Sequence, residues 1–226
     1  MKIPLDRNSK NKVCDYEMKT VLNFWQADST ISSCITSIQV IPAWRGSFVP
    51  LPGFLDRNLS EILAKEGVRD LYLHQAEALQ SITHSQHTII TTGTASGKSL
   101  CYLLPIHQRC LEDENATALL LFPTKALTQD QYKNLLRLSP QTLHSQIAIY
   151  DGDTPGSHRA KIRNYTRILL SNPDMLHTAI LPHHASWERY FHGLTYIVLD
   201  EVHLYRGVFG SHIANLIRRL KRVAGF

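Results

Sequence analysis

Two sites in this chain combine residue types and spacing that could do chemistry: the run Gly97-Lys98-Ser99 and the adjacent carboxylates Asp200-Glu201. The first closes the stretch ITTGTASGKSL, residues 90–100. It nearly satisfies the phosphate-loop pattern of Gly, four residues, then Gly-Lys-Ser/Thr. Counting back from Gly97, the pattern's first glycine falls on Thr92, and Gly93 stands one place too late. The setting is nevertheless right. An apolar run, HTIITT, leads into the loop, and an apolar helical pattern, GKSLCYLLPI, leaves it. Successive N–H groups of such a loop and the helix N-terminus would face an anion. Lys98 would reach the β- and γ-phosphates of a nucleotide, and the Ser99 hydroxyl would ligate Mg²⁺. The second site ends another apolar run, YIVLDEVHLY, residues 196–205. There one carboxylate can hold the metal shell, and its neighbour can orient and deprotonate an attacking water.

The elements that must position these groups follow a simple alternation from Leu59 onward. Helical patterns at 97–111, 124–138, 157–165 and 173–180 separate apolar runs at 87–92, 116–122, 146–150, 167–171 and 195–200. Runs such as ALLLF and YIVLD are apolar throughout, as strands buried on both faces are. The alternation predicts an α/β fold, a parallel sheet with helices on both faces. Ligands of such sheets sit beyond the carboxyl ends of the strands, where both chemical sites fall. Pro105 is expected to kink or end the helix that follows the loop, after about two turns. The N-terminal residues read differently: a short helix near 21–26, a weakly alternating stretch SCITSIQVIPAW, and a proline-rich turn VPLPGF. The expected organisation is an arm over residues 1–55 and one domain over 56–226.

Composition is that of an ordinary soluble chain, 226 residues with 43% hydrophobic and 19% charged. No apolar run approaches the roughly 20 residues of a membrane span, and the polar N-terminus is unlike a signal peptide. No membrane association is expected, and the cytoplasm is the default location. Cys14, Cys34, Cys101 and Cys110 have neither zinc nor disulfide spacing. His183 and His184 point apart on either a helix or a strand, and no acidic or thiol ligands accompany them, so they do not read as a metal site. Net charge is +5, compatible with a polyanionic partner. The densest positive run, RRLKR at 218–222, reads as the solvated face of an amphipathic helix whose other face carries Phe209, Ile213, Leu216, Leu220 and Ala224.

Asp200-Glu201-Val202-His203 resembles the D-E-x-H box of superfamily 2 helicases, in whose phosphate loops the first position is often not glycine. Further blocks fall in the order of that superfamily. YLHQAEAL resembles the Q motif, which implies that Gln75 reads the adenine edge. FPTKALTQDQ, YDGDTPGSHRAKI and LLSNPDMLH resemble the motifs that hold the nucleic acid strand. The wording is most similar to the RecQ-related DExH branch linked to bacterial mitomycin-damage repair. The resemblance implies a P-loop NTPase (RecA-like) three-layer sandwich with a mainly parallel sheet, and ATP and Mg²⁺ as cofactors. It implies a nucleotide loop made of Thr92, Gly93, Thr94, Ala95, Ser96, Gly97, Lys98 and Ser99, with Lys98 and Glu201 catalytic. Ser99 and Asp200 would hold the metal, and His203 would couple the site to the strand. Thr124, Lys125, Arg159, Ser171 and Asn172 would contact nucleic acid, single-stranded DNA being the favoured partner. Aromatic residues that could stack on adenine include Tyr72 and Phe54, and the sequence singles out neither.

Members of this superfamily carry a second RecA-like lobe that supplies arginines to the ATP site, and nothing in these residues resembles it. The expectation is therefore the ATP-binding lobe of an ATP-dependent DNA helicase, inactive as a motor until a second lobe, which a separate chain could carry, completes it. The alternative is a stand-alone nucleotide- and nucleic-acid-binding module without turnover.

Overall fold

The computed structural model describes residues 18–39, 46–93 and 96–225. Two compact units divide the chain, Met1–Arg45 and Gly46–Phe226. In the first, residues 18–27 are helical, covering the short helix expected near 21–26. Asp28 then caps a helical turn, Ser29–Ser32, by accepting from the N–H groups of Thr30 and Ile31. Residues 35–39 form no strand, and the rest of the alternating stretch lies outside the described residues.

The second unit opens with β1 (Phe48–Pro50), then α1 (Arg57–Lys65), β2 (Asp70–Tyr72) and α2 (Leu73–Thr83). β1 and β2 pair antiparallel, Val49 opposite Leu71. That pairing draws residues 46–55, expected in the arm, into the larger unit. The main elements follow as α3 (Lys98–Glu112), β3 (Thr117–Leu121), α4 (Lys125–Leu138), β4 (Ile147–Ile149), α5 (Gly156–Tyr165), β5 (Ile168–Ser171), β6 (Leu194–Leu199) and α6 (Gly207–Val223). Between β5 and β6 runs a chain of short helical turns, Pro173–His192.

The main sheet has the order β4-β5-β3-β6, and every pairing in it is parallel. Alternate residues of its strands feed two cores, as the two-residue period of a strand requires. Ala118, Leu120, Ile168 and Leu170 face α1, α3 and α4, joining Leu59, Leu63, Leu103, Leu104, Ile106 and Leu135. Leu119, Leu121 and Leu169 face the other way, onto Trp187, Tyr190, Ile213, Leu216 and Leu220. The result is the three-layer α/β sandwich the sequence pattern implied.

Two expectations fail here for physical reasons. Residues 86–93 form no strand, and Ile89 is 90% exposed. A strand exists only where a neighbour takes its hydrogen bonds. β6, the sheet's edge, is half-buried over Tyr196–Leu199 and pairs only with β3 among the described residues. Pro105 does not end α3, which continues to Glu112. An interior proline costs about 3 kcal/mol or more. Residues 101–108 are all buried, and each large apolar side chain so placed contributes about 1.5–3 kcal/mol, which outweighs that cost.

Candidate nucleotide and nucleic-acid site

All four strands of the sheet end at one edge, and the residues singled out in the sequence follow those ends. Phe122-Pro123-Thr124 succeeds β3, Tyr150-Asp151 succeeds β4, Ser171-Asn172 closes and follows β5, and Asp200-Glu201 follows β6.

Gly97 is the N-cap of α3 and sits at φ +74°, ψ 29°, a left-handed conformation that glycine adopts without penalty. This sharp turn lets the chain reverse from the loop into the helix. Lys98 folds back over the loop, its Nζ donating to the carbonyls of Thr92 and Gly93 at 2.9 Å each. The Thr92 and Ser96 hydroxyls are hydrogen-bonded at 2.7 Å. Thr94 and Ala95 lie outside the described residues.

The loop is braced from α2. Gln75 is buried, and its Oε1 accepts from the Tyr72 N–H while its Nε2 donates to the Gly97 carbonyl, both at 2.9 Å. His74 Nε2 lies 3.1 Å from the Ser96 carbonyl oxygen. Tyr72 stacks on that imidazole at 5.6 Å between ring centroids, and Phe48 packs on Tyr72 at 4.5 Å. The ladder Phe48–Tyr72–His74 thus ends on the phosphate loop. Its outer rings are partly exposed, Phe48 by 56% and Tyr72 by 37%, which leaves an aromatic surface beside the loop. The sequence did not reveal Phe48, because only the β1–β2 pairing brings it next to Tyr72.

At the end of β6 the Glu201 N–H donates to Asp200 Oδ1 at 2.8 Å, and Glu201 itself takes φ +50°. A non-glycine residue held there costs of order 1–3 kcal/mol and points to a functional constraint. His203 Nδ1 lies 3.1 Å from Glu201 Oε2. Burial pushes the Asp200 carboxyl above the usual carboxylate range, and the Glu201 charge adds to this. The Glu201 N–H, the Lys98 ammonium and His203 oppose the shift. A partly buried carboxylate whose charge is disfavoured is ready to gain from a nearby cation.

Three further side chains reach this region, each inside a quoted stretch but not itself singled out there. Ser99 Oγ and Tyr102 Oη both donate to Gln131 Oε1 on α4, each at 3.3 Å. Burial raises the Tyr102 phenol well above its ordinary range, with the Asp200 and Glu201 charges adding to it. Tyr205 Oη is buried without a hydrogen-bond partner, and burial together with Asp200 pushes its phenol up to about 12. Tyr205 thus leaves an unused donor whose phenol feels the Asp200 charge. No group of three or more His, Cys, Asp or Glu fit to hold a metal occurs among the described residues. A metal held at Ser99 and Asp200 would have to complete its shell with water and phosphate oxygens, as Mg²⁺ does.

The strand-contact candidates divide. Thr124 caps α4 by accepting from the Leu127 N–H, and Lys125 Nζ is paired with Asp153 at 2.7 Å, both on the surface. Arg159 donates to the Thr154 carbonyl and lies 5.5 Å over the Tyr150 ring. Asn172 caps the Pro173–Met175 turn. Ser171, in contrast, is wholly buried, its hydroxyl donating to the Tyr150 carbonyl at 2.6 Å. Its side chain ties β5 to the end of β4 and cannot reach a bound strand. Of the cysteines, Cys101 and Cys110 are buried thiols raised to about 11 by burial, and Cys34 is exposed.

Similarity to known proteins agrees with this geometry. The family model described as DEAD/DEAH box helicase matches residues 72–226. The ATP-dependent helicase YprA of Bacillus subtilis is 48% identical over 78% of this chain and 24% of its own length. The ATP-dependent helicase hrq1 of Schizosaccharomyces pombe is 37% identical over 97% of this chain and 21% of its own length. The crystal structure of the DUF1998 helicase MrfA bound to DNA and AMPPNP superposes with a TM-score of 0.78. It is 46% identical over 82% of this chain and 26% of that one. The chain thus spans about a quarter of the length of these relatives.

Proposed function

The chain belongs to the DEAD/DEAH box helicase family, and from that premise we propose that it is an ATP-binding lobe that couples nucleotide turnover to movement on a nucleic acid strand. The observation that carries the proposal is a left-handed Gly97 turn whose following Lys98 ammonium lies near enough to act on the Asp200 carboxyl of the Asp200-Glu201 pair. DNA and AMPPNP are what the MrfA structure holds, and they are proposed here as the ligand classes of this chain.

In this reading Lys98 leaves the Thr92 and Gly93 carbonyls for phosphate oxygens, which carry more charge and so compete well for an ammonium. The N–H groups around Gly97 and the start of α3 hold the same phosphates. Ser99 and Asp200 would hold Mg²⁺, which supplies neutralisation of charge on the transferring phosphoryl group. Glu201, turned out of the strand by its left-handed backbone, positions a water and takes its proton, and His203 orients the Glu201 carboxylate. Adenine lies against the Phe48–Tyr72 surface, with Gln75 beside it. Gln75 already spends both amide atoms on the Tyr72 N–H and the Gly97 carbonyl, so reading the base requires its Oε1 to release the Tyr72 N–H while its Nε2 keeps the Gly97 carbonyl. Thr124, Lys125, Arg159 and Asn172 contact the strand's phosphates with little regard to sequence.

Binding of a fluorescent ATP analogue, followed by ATP turnover with and without single-stranded DNA, tests this reading. Wild type should bind nucleotide with Mg²⁺, Lys98→Ala should abolish binding, and Glu201→Gln should bind but not turn over. Nucleotide affinity unaffected by Lys98→Ala would refute the site. Binding without strand-stimulated turnover, even with added chains that carry a second lobe, would favour a binding module over a motor.

A further inference from the structure

α6 leaves the carboxyl edge at Gly207 and runs for 17 residues, about 25 Å, with Ile213, Leu216 and Leu220 packed in the same core as Leu194, the first residue of β6. Its last turns meet Leu181–His184 and enclose a groove of about 300 Å³ lined by Leu181, Pro182, His184, Arg219, Arg222 and Val223. The apolar floor is small and the walls are positive. Neither 175–187 nor 202–226 contains an aspartate or glutamate, and together they hold Arg206, Arg218, Arg219, Lys221 and Arg222. The acids nearest in sequence are Asp174 and Glu188, just outside the first segment, and Asp200 and Glu201, just before the second.

Helix-end electrostatics explain part of this charge, since Lys221 and Arg222 occupy the last turn, where cations complement the helix dipole. They do not explain Arg219, whose guanidinium is turned sideways across to the facing segment. Its Nη1 donates to His177 Nδ1 at 3.2 Å, and His177 in turn packs edge-on against His212 at 4.7 Å. A guanidinium has five donors in a flat fork that matches phosphate oxygens, and this hydrogen bond uses one of them. His184 Nδ1 lies 3.1 Å from the Leu181 carbonyl oxygen, leaving Nε2 for a ligand.

We propose that this groove is a second nucleic-acid contact, built from residues other than Thr124, Lys125, Arg159 and Asn172, in which Arg219 and Arg222 each take a backbone phosphate. The proposal rests on the nucleic-acid reading above and adds to it a place where the strand or an adjoining duplex crosses the flank of the lobe. Nucleic acid is favoured over an acidic protein because two arginine forks beside a narrow apolar floor suit spaced single phosphates. The buried apolar anchors of a protein interface would need more apolar surface than this groove offers.

The test is fluorescence anisotropy of a labelled single strand and a forked duplex over a range of salt concentrations. It compares wild type, Arg219→Gln/Arg222→Gln, and the charge-matched control Arg218→Gln/Lys221→Gln, whose side chains do not line the groove. All four positions are exposed, so folding is preserved. Removing one arginine–phosphate pair should flatten the slope of log K against log salt by about 0.7–0.9. The groove variant should therefore lose about 1.4–1.8 in slope on at least one substrate. The control should keep the wild-type slope, and ATP-analogue binding should be unchanged in both. Equal losses in the two variants would reduce the effect to net charge and overturn the proposal. So would an unaltered groove variant, including one that has instead lost binding to an acidic protein. A wild type that binds no nucleic acid at all would sink the function proposed above together with this groove.

Discussion

Replacing Gly97 with alanine separates two contributions to the phosphate loop that a simple loss of binding would merge. At φ +74° a side chain strains the backbone by about 1–2 kcal/mol. A Cβ at this position would also stand 2.5 Å from Gln75 Nε2, closer than such atoms can approach. The Gln75 amide must then withdraw, losing its bond to the Gly97 carbonyl and leaving a buried polar group without a partner, at about 1–3 kcal/mol. The two effects together disfavour the present loop conformation by about 2–5 kcal/mol, or about 30-fold to a few thousand-fold in ATP-analogue affinity. Titration of a fluorescent ATP analogue into four proteins measures them apart: wild type, Gly97→Ala, Gln75→Ala and the double variant. With Gln75 shortened to alanine the clash is gone, so Gly97→Ala should then cost only the backbone strain. Melting curves confirm that each variant is folded. An identical cost of Gly97→Ala with and without the Gln75 side chain would refute the brace, and wild-type affinity in Gly97→Ala would refute the strain as well.

Two other outcomes test the scaffold behind the site. Burial first, and then the neighbouring His144, lower His107 from 6.5 to about 4. The unfolded chain therefore binds a proton between those values that the folded chain refuses. Stability should fall as pH drops from 6.5 to about 4 and level off below, losing about 3 kcal/mol through this group. Urea unfolding of wild type and His107→Gln across that range checks it, and parallel curves would refute it. Gly193→Ala would place a Cβ 1.9 Å from the Asn115 carbonyl oxygen, where only backbone movement gives room. It should cost about 1–3 kcal/mol and lower the melting temperature, whereas an unchanged melting curve would show that the Asn115 turn yields freely.

How much of this is legible in the sequence depends on how local the determinant is. The strands Thr117–Leu121 and Leu194–Leu199 announce themselves as unbroken apolar runs, and a carboxylate pair at the end of one of them needs no tertiary knowledge to place. The helical patterns at 97–111 and 124–138 match α3 (Lys98–Glu112) and α4 (Lys125–Leu138) to within a residue. What stays hidden is the destination of single polar side chains. Gln131 closes a block read for the nucleic acid strand, and its place beside the phosphate loop shows only when α4 and α3 are laid side by side and Ser99 and Tyr102 both turn to it. Ser171 reads as a surface serine at a strand end until the Tyr150 carbonyl claims its hydroxyl in the interior. Residues 87–92 carry a strand's composition, but composition supplies no partner, and Ile89 stays in solvent.

The missing first glycine of the phosphate loop has a physical explanation in the same terms. A glycine is required only where the backbone is left-handed or where a side chain has no room. Within the described part of the loop, Gly97 is the residue at positive φ, and Thr92 is not. Thr92 also uses its side chain, since its hydroxyl is bonded to that of Ser96 across the mouth of the loop and its carbonyl receives Lys98. Gly93, the glycine one place late, has open space where a Cβ would stand and an unstrained backbone, so nothing in its surroundings demands glycine. Among the described residues of the loop, the glycine its backbone demands is Gly97, and that glycine is held from behind by Gln75. A loop of this kind is selected by its brace as much as by its own sequence, which is why GKS taken alone says little and GKS with Gln75 bonded to Gly97 says much more.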